Sequence, residues 1–76
     1  MESAMDRNVL LAGMGIAAED CQLLSLLANG CPPQIIAREL NTSARTLRRR
    51  IRTLCDRIGV ATPIEAVAWA VRNRVI

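Results

Sequence analysis

Apolar residues recur along this chain at the three-and-four spacing of helices. The clearest run lies between Ser43 and Gly59, where Leu47, Ile51, Leu54 and Ile58 stand at i, i+4, i+7 and i+11. That is one apolar stripe of an amphipathic helix. At about 100° per residue, Arg45, Arg49, Arg52 and Asp56 fall on the opposite side. Arg48 flanks the stripe on one edge; Thr46, Arg50 and Arg57 flank it on the other. Ser43 is a good N-cap and Gly59 a good residue for a left-handed stop, so a helix is predicted over about 44–58.

Three more helices follow from the same reading. The first spans Ala17 to Asn29, with Glu19 and Asp20 in its first turn, where acids suit the positive end of the helix dipole. Leu23, Leu24, Leu26, Leu27 and Ala28 give it a wide apolar face, and Asn29-Gly30 stops it. Pro32 and Pro33 open a second, shorter helix, because proline's missing N–H costs little in a first turn. Its apolar side is Ile35, Ile36, Ala37 and Leu40, with Arg38 and Glu39 outward. Asn41 is suited to a left-handed stop, and Thr42 completes a turn of about three residues before Ser43. Downstream, Thr62-Pro63-Ile64-Glu65 is a start signal: Thr62 caps, Pro63 takes the first position and Glu65 reaches back. This last helix runs to about Asn73. Its predicted core stripe is Ile64, Val67, Ala68 and Val71, continued by Val75. Ala66, Trp69, Ala70 and Asn73 fall on the other side, either as a contact surface or as the edge of the bundle.

The expected fold is all-α: a compact four-helix bundle containing a helix-turn-helix, in which a tight corner joins the second and third helices. Residues 1–15 read as an N-terminal extension or linker remnant. Val9–Met14 has room for a short extra helix of a turn or two. Residues 16–76 form the domain. At 76 residues the chain makes one small domain, near the size at which a single core only just outweighs chain entropy. That core is aliphatic, since there is one Trp and no Phe or Tyr.

Charge sharpens this picture. The Ser43–Gly59 segment carries six arginines against one aspartate, a local charge of +5; the other four arginines face six acids, which leaves −2. A solvated helix face would mix acids among the arginines. Here Arg45–Arg48, Arg45–Arg49, Arg48–Arg52 and Arg49–Arg52 are all like-charge neighbours at i,i+3 or i,i+4, which destabilises a free helix. Such a face is suited to a polyanion. All ten basic residues are arginine, and guanidinium groups suit bidentate contacts to phosphate and to guanine edges.

Other chemistries are disfavoured. With no histidine, and with Cys21, Cys31 and Cys55 lacking a C-x-x-C spacing, no metal or cofactor is expected. The cysteines are expected to pack as small, buried or half-buried residues in a reducing compartment. No acid pair sits in a metal-like setting and no base stands beside a cysteine, so an enzyme is not expected. No stretch is long enough to span a membrane, and a signal peptide is not expected.

Several motifs taken together carry a family likeness. They are L-L-x-L-L-A-N-G at 23–30, I-I-A-R-E-L-N-T-S at 35–43, R-T-L-R-R-R-I at 45–51, L-C-D-R-I-G-V at 54–60 and E-A-V-A-W-A at 65–70. From Ile16 to Ile76 the chain resembles the C-terminal DNA-binding domain of LuxR/GerE-type bacterial transcription regulators. The resemblance implies a four-helix fold whose third helix enters the major groove of double-stranded DNA, and a homodimer formed through the fourth. It implies base contacts by Arg48, Arg49 and Arg52, phosphate contacts by Arg45, Thr46 and Arg50, and a dimer surface of Ala66, Trp69, Ala70 and Asn73. It also implies a cytoplasmic, nucleoid-associated protein. Asp20 stands where the family usually has glutamate, Ile35 where it often has glutamate, and Arg50 where histidine is common. Pro32-Pro33 replaces a loop that often carries polar residues. The family's usual N-terminal sensor has no counterpart in the fifteen residues before the match, which suits either an excised domain or a small stand-alone regulator. The competing expectation is a protein-interaction module, in which the same arginines meet an acidic surface such as that of an RNA polymerase subunit.

Overall fold

The computed structural model describes residues 15–76, and the turns predicted at Val9–Met14 lie outside them. The described chain is all-helical: α1 Ala18–Ala28, α2 Pro33–Glu39, α3 Ala44–Ile58 and α4 Pro63–Arg72. The fold class is as expected, and the helix ends agree with the sequence reading to within one or two residues.

Local chemistry starts each helix. Ser43 Oγ accepts the Thr46 N–H at 3.1 Å and caps α3. Thr62 Oγ1 accepts the Glu65 N–H at 3.2 Å and caps α4. Glu65 reaches back to the Thr62 hydroxyl, which donates to Oε1 at 3.0 Å. In α1 the cap position is Ala17, which has no side-chain acceptor to offer. Instead Asp20 Oδ2 accepts the Ala17 N–H at 3.0 Å.

All four helices stop on a left-handed residue: Gly30 (φ 74°), Asn41 (φ 53°), Gly59 (φ 79°) and Arg74 (φ 56°). The next N–H then bonds back across the last turn, as Thr42 does to the Ala37 carbonyl at 2.8 Å and Val75 to the Ala70 carbonyl at 2.8 Å. This satisfies carbonyls that would otherwise be orphaned and folds the following residue inward. That is how Val75, beyond the end of α4, becomes fully buried.

The core is one aliphatic cluster built from every helix. Leu23 and Leu24 come from α1, Ile36 and Ala37 from α2, Leu47, Leu54 and Cys55 from α3, and Ala66 and Ala70 from α4, with Ile16 and Val75 closing the two ends. α4 packs on α1 and α3, and α2 on α1 and α3. Leu26, Leu27, Ile51, Ile58 and Trp69 are half-buried around this centre. The cysteines lie as expected, Cys55 buried and Cys21 and Cys31 half-buried.

Two faces differ from expectation. Ile35 opens outward from the first turn of α2, while Ile36 and Ala37 carry the contact. In α4 Val75 is buried as expected and Val67 is half-buried, but the rest of the expected stripe is not what meets the core. Ala66 and Ala70 are 1% and 0% exposed, whereas Ile64 and Val71, assigned to the core, are 80% and 57% exposed. Ala68 is exposed as well. The physical reason is backbone distance. Helices packed around a core this small approach closely, and alanine's methyl admits that approach where isoleucine would hold the backbones apart.

Candidate nucleic-acid interface

α3 is the longest helix, at 15 residues, or about 22 Å at 1.5 Å per residue. Its apolar stripe is held down by Leu47 and Leu54, so the opposite side must face solvent. A groove borders it on each flank. One, about 290 Å³, runs along α1 and is lined by Glu19, Asp20, Arg49, Arg50 and Arg57. The other, about 310 Å³, runs along the start of α4 beside Arg48, Arg52, Cys55 and Val60. α3 therefore stands as a ridge.

The six arginines of this helix divide into two groups. Arg50 and Arg57, on the α1 flank, are paired with acids of α1. Arg50 Nη1 lies 3.6 Å from Glu19 Oε2, and Arg57 Nη1 lies 3.1 Å from Asp20 Oδ2. Arg57 also donates to the Gly15 carbonyl at 2.9 Å. Asp20 thus caps α1 and braces α3 with one carboxylate oxygen. Gly15 is held tightly here: it has φ +78°, and a Cβ on it would lie 3.1 Å from Arg57 Cδ.

Arg45, Arg48, Arg49 and Arg52 form the second group. All four are exposed, and none makes an ion pair within the described residues. They occupy i, i+3, i+4 and i+7, so their guanidinium groups share one side of the ridge. Among the described residues, Arg48, Arg49 and Arg52 are not folded against the protein's own acids, which leaves them open for docking.

The chain matches no family model, no curated protein and no solved structure. Among the described residues no helix is long and apolar enough to cross a membrane.

The remaining site expectations fare unevenly. Of the three positions expected at phosphates, Arg45 makes no ion pair among the described residues, Arg50 lies 3.6 Å from Glu19, and Thr46 is half-buried with its hydroxyl 3.0 Å from that of Ser43. The expected dimer surface is corrected at two of its four residues. Ala66 and Ala70 lie in the core, and a fully buried methyl has no area left for a partner. Trp69 is half-buried, and the Asn73 side chain donates to the Trp69 carbonyl at 2.8 Å, ending α4. The apolar surface on α4 is Ile64, Ala68 and Val71. Sequence reasoning also missed the Asp20–Arg57 brace. Its partners are 37 positions apart, a separation that helical periodicity does not register.

Cys55 sits at the floor of the α4-side groove. Burial first, then the carboxylates of Asp56 and Glu65, push its thiol pKa up from the ordinary value. At neutral pH it is a packed, protonated thiol rather than a nucleophile.

Proposed function

We propose that this domain binds double-stranded DNA in a sequence-specific way and regulates transcription, with α3 seated in the major groove. The observation that carries the reading is the row of four exposed arginines, with no acid partner among the described residues, on a protruding helix. A major groove about 12 Å wide admits one helix, and each guanidinium group that meets a phosphate there replaces condensed counterions. The motif likeness to LuxR/GerE-type domains supports the same reading, with Arg48, Arg49 and Arg52 at base edges and Arg45 at phosphate. The Asp20–Arg57 pair, hydrogen-bonded at 3.1 Å, helps to hold the roll of α3 about its own axis, while the exposed Glu19–Arg50 pair at 3.6 Å adds little.

A single domain of this size covers a small footprint, so useful affinity calls for two copies on two half-sites. The face available for pairing is Ile64, Ala68 and Val71. Glu65 and Arg72 flank this stripe on the same side. In an antiparallel α4–α4 contact, Glu65 of each copy falls beside Arg72 of the other. A protein that works this way resides with the nucleoid in the cytoplasm.

The test is a titration with duplex DNA at several salt concentrations. Arg49→Ala relaxes base preference, whereas Arg45→Ala weakens all sequences alike and lowers the salt slope by about 1. If both variants bind as the parent does, the assignment of α3 is wrong. If the parent ignores duplex DNA at physiological salt yet captures an acidic protein surface, the ridge is a protein-docking element.

A further inference from the structure

Asp56 is the one residue on the ridge that a simple polyanion binder would not carry. It lies on the line Arg45–Arg49–Arg52–Asp56, exposed like the other three. It makes no ion pair within the described residues, although Arg52 stands one turn away on the same face. A free carboxylate here opposes every phosphate that passes beneath it. Against a base edge, however, it has a specific use.

The chemistry of this line is narrow. Guanidinium groups only donate, and an ionised carboxylate only accepts. In the major groove, guanine offers the acceptors N7 and O6, and cytosine offers the N4 amino donor. Adenine offers one of each and is read by an amide side chain, while the thymine methyl is read by an apolar one. The line carries neither an amide nor an aliphatic side chain. Arg48 and Asp56 are eight residues apart, about 12 Å along the helix, or between three and four base-pair steps of 3.4 Å. Arg48, Arg49, Arg52 and the Asp56 carboxylate, the first of them on the edge of this line, are thus spread over one short run of base pairs.

Resting on the DNA reading above, we infer that the half-site is a run of G·C pairs, with guanines under the arginines and a cytosine amino group under Asp56. Asp56 is then a specificity-determining residue, and it also lowers affinity for sequences that place a phosphate or a carbonyl beneath it.

The experiment is a selection from random duplex DNA by the full 76-residue chain, by Asp56→Ala and by Asp56→Asn. Thermal melts confirm that these exposed-site variants fold. The parent is expected to enrich three or four adjacent G·C pairs. Asp56→Ala loses the cytosine preference at one position and keeps the others, and Asp56→Asn shifts that position toward adenine. With the parent protein, replacing a contacted guanine by 7-deazaguanine, which lacks N7, weakens binding about tenfold. Inosine in its place keeps both major-groove acceptors and binds as guanine does. An A·T-rich selected site overturns the inference. So does an Asp56→Ala variant that strengthens every duplex equally, or one that changes nothing. If the parent binds no duplex at physiological salt, the DNA reading itself falls and this inference falls with it; the other outcomes leave that reading standing.

Discussion

Changing Ile64 to glutamate and Ala70 to leucine separates the two faces of α4. Ile64 is 80% exposed, so about a fifth of its side-chain burial contributes to the monomer. With full burial of such a side chain worth about 1.5–3 kcal/mol, Ile64→Glu loses about 0.5 kcal/mol. A carboxylate in the first turn of a helix returns a similar amount. Ala70 is 0% exposed, and three more carbons there overpack a closed core, at about 1–3 kcal/mol. At about 4–8 °C per kcal/mol for a domain of this size, Ala70→Leu lowers Tm by about 4–24 °C, while Ile64→Glu leaves it nearly unchanged. Circular dichroism melts read both. In the proposed dimer the same stripe would set the pairing. Burying what remains exposed of Ile64 and Val71 on two copies yields about 6 kcal/mol in all, against an association cost of about 4–15 kcal/mol. The free domain is therefore monomeric at micromolar concentration. On a duplex with two half-sites the partner is already held nearby, and the stripe appears as cooperativity. Ile64→Glu removes that cooperativity and leaves single-site affinity unchanged. A melt in which Ile64→Glu unfolds the domain, or Ala70→Leu is harmless, would refute the assignment of these faces.

Three further outcomes follow from particular residues. Arg74 holds a left-handed φ of 56°, so Arg74→Gly relieves backbone strain and raises stability by about 0.5–1 kcal/mol, read as a higher urea midpoint; an unchanged or lower midpoint contradicts it. Leu24 is fully buried, and Leu24→Ala costs about 2–5 kcal/mol, enough to unfold much of a domain this small at 37 °C; a parent-like melt would show the core drawn wrongly. Cys55 keeps its proton more tightly in the folded chain than in the unfolded one. Its contribution is fully present below the ordinary thiol pKa of about 8.5 and is lost as pH rises toward the raised value. The parent's stability should therefore fall more steeply than that of Cys55→Ala above pH 8.5, and equal slopes would count against the shift.

The legibility of this chain follows the range of the interactions. α3 was readable to the residue because its signals are local. Ser43, Gly59 and a stripe of four large aliphatics all lie within one segment, and its polar face is too charged to be buried. The ends of α2 and α4 were readable for the same reason, through Pro33, Asn41 and Thr62. The side of α4 that meets the core was not readable. In P-I-E-A-V-A-W-A-V-R both the Ile64–Val71 line and the Ala66–Ala70 line are apolar, and periodicity alone ranks the larger residues inward.

The amino-acid order by itself therefore determined four helices, their stops and a basic ridge on the third, since each depends on neighbours within a few turns. Only the packed structure decided which α4 face is spent on the core and which of the arginines are neutralised. Closeness of backbones and the meeting of Asp20 with Arg57 come into being when distant segments are brought together, and no local pattern encodes them.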